Sequence, residues 1–233
     1  MANFDWIFFD ADNTLFDFDK AQEHALKTAI SGTLQNYHMT YNDEILQKYA
    51  AINHDLWNKF ELGSVTKDRL QIKRFEDLFK VLKVEEDAVR FNAKYMAALS
   101  EGTFLLDGAK ELCETLSLSC KLALVTNGVS KTQHKRFENS AINEYFVGIF
   151  VSEDTGFQKP KKEYFDYVLK HTGITDKERV LIVGDSLSSD IKGGNNAGIP
   201  SCWFNPHKLP NSTDAICDYE IHSFSELMPI VSG

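Results

Sequence analysis

A run of four large apolar side chains, Trp6–Phe9, ends on two acids one residue apart in the stretch WIFFDADNTLF. A strand that is apolar at every position has no face to give to water, so it belongs in a sheet covered on both sides. Later runs at 122–126, 148–152, Val180–Gly184 and Ser201–Phe204 read the same way. Between them apolar residues recur at helical spacing, as in Ala109/Leu112/Cys113/Leu116, across 131–141 and in Phe165/Val168/Leu169. Alternation of this kind predicts an α/β fold with a doubly wound parallel sheet. Ligands of such sheets bind beyond the carboxyl ends of the strands. Asp10, Thr126 and Asp185 all fall there, each closing an apolar run.

Residues 17–103 have a different texture. Leu26/Ala29/Ile30/Leu34, Ile45/Tyr49/Ile52/Leu56/Phe60, Phe75/Leu78/Phe79/Leu82 and Val89/Ala93/Met96 keep helical spacing, with no strand signal between them. Gly32, Gly63 and Gly102 stand at the breaks. The expected organisation is a sheet domain of residues 1–16 and 104–233, interrupted at 17–103 by a bundle of about four helices. A length of 233 residues suits one large domain or two small ones, and 43% hydrophobic content suffices for a packed core.

The formal net charge of −9 argues against a nucleic-acid polymer, which is held by surplus Lys and Arg. It leaves room for a small anion where a metal or a lysine reverses the local sign. Cys113, Cys120, Cys202 and Cys217 show no CxxC spacing, which suits reduced thiols in a cytoplasmic protein. No basic segment precedes the first apolar run and Asp10 interrupts it, so a secretory leader is not expected. No apolar stretch is long enough to span a membrane. The expected state is a monomer or small homo-oligomer.

Four pieces carry chemistry: DADNT at 10–14, VTNG at 125–128, QKPKKEYF at 158–165 and VGDSLSSD at 183–190. If Asp10 and Asp185 share a pocket at about 4 Å and an effective dielectric of about 20, they repel by roughly 4 kcal/mol. A divalent cation relieves this, and oxygen donors without a His or Cys cluster suit Mg²⁺. Each of the seven histidines stands alone and is read as a surface residue, not a ligand. With a phosphate dianion present, donors beyond the metal and Lys159 are needed, and Thr126, Asn127 and backbone N–H groups can supply them.

A carboxylate can attack phosphorus to give an acyl-phosphate, which makes Asp10 the candidate nucleophile. Asp12 is placed to protonate the leaving alkoxide and later to take a proton from water, and its backbone carbonyl is a candidate metal ligand. Pro160 restricts the chain just after Lys159. Each residue alone has a plainer alternative. Asp10 and Asp12 could form a solvated turn, Thr14 and Ser186 helix caps, and Thr126 a bond to its own loop. Lys159 could be solvated beside Lys161 and Lys162, and Asp185 and Asp190 could be turn and helix-start acids. All four pieces in this order are not explained that way.

The set D-x-D-x-T, T-N-G, K-P and G-D-x-x-x-x-D resembles the haloacid dehalogenase-like hydrolase superfamily across the whole sheet domain. The resemblance implies a Rossmann-like core, Asp10 as nucleophile, Asp12 as acid/base and Thr126 as phosphate ligand. It further implies Lys159 as phosphoryl stabiliser, Asp185 as metal ligand and Asp190 as support for both. The helical insertion is similar to the superfamily's mobile cap. An Asp at position 12 favours phosphatases over the dehalogenases, whose departing halide needs no proton. DWIFFDADNTLFDF, NHDLWNKFELGSVT, RFEDLF, VGDSLSSDIKGGNNAGI and CWFNPHK resemble the noncanonical pyrimidine 5′-nucleotidases more closely still.

That implies a small phosphomonoester substrate such as dUMP, dTMP or UMP. A sugar-phosphate phosphatase or phosphomutase, or an inactive binding protein of the same fold, are the alternatives. In the cap, Trp57 offers a flat face to a pyrimidine, yet beside Leu56 and Phe60 it equally suits the helical core. Asn53, Arg74 and Phe75 are comparable candidates; for the last two, a solvated arginine and a core phenylalanine are the plainer readings.

Overall fold

The computed structural model describes residues 3–233; residues 1 and 2, grouped with the sheet domain above, lie outside the described residues. The chain forms two compact units, one made of the chain up to Phe18 with Thr103–Gly233, the other of Asp19–Gly102. Among the described residues no helix is long and apolar enough to cross a membrane.

In the first unit, six strands form one sheet: β1 (Trp6–Phe9), β2 (Lys121–Thr126), β3 (Phe146–Val151), β4 (Val180–Gly184), β5 (Ser201–Phe204) and β6 (Tyr219–Ile221). Their order is β3-β2-β1-β4-β5-β6 and every pairing is parallel. This is the doubly wound sheet that the apolar runs predict. β1 lies at its middle, with Phe9 level with Leu124 on one side and Val183 on the other.

Successive side chains of β1 face opposite ways, and both faces are covered. Ile7 and Phe9 enter one core with Leu122, Leu124, Leu181 and Val183, while Phe8 enters the other with Ala123, Val125 and Ile182. The helical unit contributes α1 (Phe18–Asn36), α2 (Asp43–Glu61), α3 (Lys67–Leu82) and α4 (Ala88–Leu99). The sheet unit then adds α5 (Ala109–Ser117), α6 (Ser130–Glu138), the single turn α7 (Ser152–Thr155), α8 (Lys162–Thr172), α9 (Lys192–Ala197) and α10 (Leu227–Ser232). α5 and α10 cover the Ile7/Phe9 face through Leu112, Leu116, Leu227 and Val231. α8 and α9 cover the Phe8 face through Tyr164, Phe165, Val168 and Ala197.

Three of the four helices of the second unit, α2, α3 and α4, start on side-chain caps. Asn42 accepts from the Ile45 N–H at the head of α2, and Asp87 accepts from the Val89 and Arg90 N–H groups at the head of α4. The core of this unit is aromatic. The Phe75 ring is stacked on Tyr49 at 5.4 Å and meets Phe91 at 4.8 Å and Tyr95 at 5.1 Å.

Arg74 is not solvated, as its charge suggested, but 2% exposed. Its guanidinium lies 5.0 Å from the Phe75 ring and 4.7 Å from that of Tyr95, and it donates to Asn92 Oδ1 at 2.9 Å and Asn53 Oδ1 at 3.3 Å. Aromatic faces and amide oxygens thus take the place of a carboxylate. Asn53 passes the chain on, donating to Gln22 Oε1 at 3.0 Å.

Phe75→Ala removes the ring on which Tyr49, Phe91 and Tyr95 all rest. It is expected to destabilise the helical unit by about 3–5 kcal/mol, measured as a fall in the urea midpoint of its unfolding. A shift equivalent to less than about 1 kcal/mol would mean that this cluster does not hold the unit together.

Candidate active site

β2, β1 and β4 are neighbours, so the residues just past their carboxyl ends are delivered to one place. The Asp10 N–H donates to the Val183 carbonyl at 2.9 Å and so holds Asp10 directly beyond β1. Lys159, in the loop before α8, reaches across from the far side. Its ammonium donates to Asp10 Oδ1 at 2.6 Å, Asp190 Oδ1 at 2.7 Å and the Val125 carbonyl at 2.9 Å.

Three donors meet three acceptors, and the side chain is buried. Asn127 fixes the backbone of the same residue from both directions: its Oδ1 accepts from the Lys159 N–H and its Nδ2 donates to the Lys159 carbonyl, each at 2.9 Å. A solvated lysine has no such frame.

Asp190 stands on a wide π-helical turn, Leu187–Ile191, which begins at Ser186. Its second oxygen accepts from the Ser186 N–H at 3.1 Å, so both oxygens are committed. Gly184 makes room for it: a Cβ there would lie 2.3 Å from Asp190 Cγ. Ser186 caps the turn, accepting from the Ser189 N–H.

Asp185 is tied to the loop after β1 and to β5. Its N–H donates to Thr14 Oγ1 at 3.1 Å, its Oδ1 accepts from the same hydroxyl at 3.3 Å, and its carbonyl accepts from the Trp203 indole N–H at 2.9 Å. Thr14 is therefore a brace for Asp185 rather than a helix cap.

Among the described residues, Asp10, Asp185 and Asp190 each present an oxygen within 4.8 Å of the other two. The Asp10 carboxyl is pushed up to about 7, chiefly by loss of hydration, with the Lys159 ammonium opposing the rise and the Asp190 carboxylate adding to it. Asp185 is likewise raised, by loss of hydration and then by Asp10 and Asp190. Burial opposes the Lys159 charge, but Asp10 and Asp190 outweigh it and hold the lysine above its ordinary value. Three carboxylates around one ammonium leave surplus negative charge among hard oxygen donors, which fits a divalent cation such as Mg²⁺. Asp190 has no oxygen to spare, whereas Asp10 and Asp185 each have one outside the bonds described.

The side chain of Asp12 does not join this ring. It reaches α6, where its Oδ2 accepts from Gln133 Nε2 at 2.6 Å and its Oδ1 from Arg136 Nη1 at 2.5 Å. Reading the sequence singled out neither partner. Their three-residue spacing just after VTNG, which puts both on one helical face, was the available signal.

Thr126 is buried at the end of β2 and its hydroxyl accepts from the Gly128 N–H at 3.0 Å, the loop bond of the plainer reading. Trp57 belongs to the helical unit, edge-on to Phe60 at 5.5 Å and packed on the Leu56–Phe60–Leu70 cluster.

With this geometry in place, the relatives of the chain become informative. Residues 4–198 match the haloacid dehalogenase-like hydrolase family. The HAD-hydrolase YfnB of Bacillus subtilis is 42% identical over 232 residues, covering 100% of this chain and 97% of that protein. Its crystal structure, bound to magnesium, superposes with a TM-score of 0.91 over 98% of both chains. The pyrimidine 5′-nucleotidase YjjG of Escherichia coli is 37% identical, with 96% of each chain covered. The pyrimidine 5′-nucleotidase PynA of Streptococcus pneumoniae is 34% identical, covering 96% of this chain and 93% of that one. The chain belongs to the haloacid dehalogenase-like hydrolase family, and it is an enzyme.

Gly184→Ala is expected to push Asp190 off Lys159 and to lower stability by about 3–5 kcal/mol, the usual result of breaking a buried ion pair. Gly148→Ala, where a Cβ meets nothing within 4 Å, is the control. Thermal melts of both variants check this; equal stability would mean that the close approach at Gly184 is readily relieved.

Proposed function

We propose that this chain is a Mg²⁺-dependent phosphatase that hydrolyses nucleoside 5′-monophosphates with a pyrimidine preference, by way of an aspartyl-phosphate. As an enzyme it is a phosphoric monoester hydrolase. The observation that carries the reading is the meeting of Asp10, Lys159, Asp185 and Asp190 beyond the carboxyl ends of neighbouring strands. The pyrimidine preference is supported by the likeness to YjjG and PynA, which runs through the helical unit as well as the sheet.

In this reading residues 1–16 and 104–233 form the catalytic core and 17–103 the cap. All four thiols are free, in keeping with action in the cytoplasm. Asp10 has Oδ1 committed to Lys159, and its other oxygen attacks phosphorus. The O–P bond forms as the ester P–O bond breaks, and Asp12 gives its proton to the departing ester oxygen. Asp12 then takes a proton from the water that attacks the acyl-phosphate, which releases phosphate and restores Asp10.

Lys159 offsets charge on the phosphoryl oxygens, with Thr126 and Asn127 as further donors. Mg²⁺, held by Asp10, Asp185 and the Asp12 carbonyl, would supply positive charge against that of the phosphoryl group. Asp190 keeps Lys159 in place. Trp57 is the candidate contact for the base.

Asp10→Asn is expected to abolish phosphate release at saturating Mg²⁺, followed as inorganic phosphate. A steady-state panel of mononucleotides and sugar phosphates tests the substrate class. dUMP, dTMP and UMP should show the highest kcat/KM, with activity lost to a chelator and restored by Mg²⁺. A clear preference for hexose phosphates would sink the nucleotidase assignment and leave a sugar-phosphate enzyme.

A further inference from the structure

We propose that Gln133 and Arg136 are positioning residues for Asp12, a two-armed clamp on α6 that aims this acid at the departing oxygen of an alkyl phosphate ester. The proposal rests on the phosphatase reading above and adds to it a device outside the four motifs. Each oxygen of Asp12 has its own donor, a neutral amide on Oδ2 at 2.6 Å and a guanidinium on Oδ1 at 2.5 Å. A carboxylate held at both oxygens has one orientation about its terminal torsion, where a free one is broadly distributed.

The arms are themselves rigid. Arg136 is wholly buried, and its guanidinium lies 4.9 Å from the Phe16 ring. Gln133 is buried as well; among the described residues its Oε1 has no hydrogen-bond partner, while its Nε2 is held by Asp12.

Gly128 supplies the independent observation. A Cβ at that position would lie 2.1 Å from Gln133 Nε2 and 2.6 Å from its Cγ. The glutamine crosses the backbone of VTNG where no side chain fits. The glycine of that motif is thereby accounted for, since its backbone is not in the left-handed region that would require glycine for conformational reasons.

Aim matters most when a proton must move. As Asp10 bonds to phosphorus and the ester P–O bond breaks, the Asp12 O–H bond breaks and the departing oxygen gains that proton. An alkoxide is too basic to leave without it; a 4-nitrophenolate leaves unaided. A misplacement of about 1 Å costs about a hundredfold in such steps.

The test compares kcat/KM on UMP and on 4-nitrophenyl phosphate, both with Mg²⁺, for the wild type, Gln133→Leu, Gly128→Ala, Arg136→Met and Arg136→Lys. This ratio covers only steps up to release of the first product, so hydrolysis of the acyl-phosphate does not enter. The expected result is a loss of about 10- to 100-fold on UMP and less than about threefold on the nitrophenyl ester. The loss should lie in kcat rather than KM, and Arg136→Lys should recover part of what Arg136→Met loses.

Equal losses on both esters, or no loss on UMP, overturn the proposal. Gln133→Leu keeps nearly the same volume, so it decides the matter should the arginine variants not fold. A wild type that hydrolyses neither ester overturns the phosphatase reading and this proposal together. A wild type that hydrolyses both, with variants impaired alike on both, overturns this proposal alone.

Discussion

The Lys159 ammonium, buried between Asp10 and Asp190, is the interaction on which the sheet unit's architecture turns. Taking such a charge out of water costs several kcal/mol, so every one of its protons needs a partner and every partner needs support. Much of the local structure follows from that demand. Asn127 holds the lysine backbone, the π-helical turn at Leu187–Ile191 presents Asp190, and Gly184 leaves the space into which Asp190 folds. The Val125 carbonyl, at the tip of β2, completes the set.

Two buried cations divide the acids of the DADNT loop between them. Asp10 shares Lys159 with Asp190, while Asp12 is paired with Arg136. Two carboxylates only two residues apart thus stand in different surroundings, one within a ring of like charge, the other against a guanidinium and an amide. Separate surroundings are the usual way in which one site gives similar groups separate tasks. Asp185, braced by Thr14 and Trp203, binds the loop after β1 to β4 and β5, so the ring of acids is anchored to the sheet at several points.

Much of this was legible in the sequence because the interiors of β1, β2 and β4 are apolar at every position and a polar residue closes each, Asp10, Thr126 and Asp185. Asp10, Thr126 and Asp185 could be placed at strand ends for that reason, and Lys159 and Asp190 in the segments that follow strands. β6 escaped notice: it is a three-residue edge strand with two exposed positions. β3, on the other edge, begins two residues before the apolar run suggested, with Phe146 half-buried and Val147 exposed. Arg136 and Gln133 were passed over because polar residues on a helix ordinarily face water, and their three-residue spacing shows only that they share a face, not that this face meets Asp12. Arg74 misled for a related reason. Its burial depends on the faces of Phe75 and Tyr95 and on amides from α2 and α4, and all of these but Phe75 are distant from it in the chain.

The alternation of Ile7, Phe8 and Phe9 between two cores has a consequence for how this chain tolerates change. Exchanging one apolar residue for another of similar size along β1 disturbs one core modestly. Adding or removing a single residue there would exchange the inward faces of the strand and rotate position 10 away from Lys159. Divergence by substitution is therefore cheap along this segment, whereas a change of length would cost both cores and the Asp10–Lys159 contact at once.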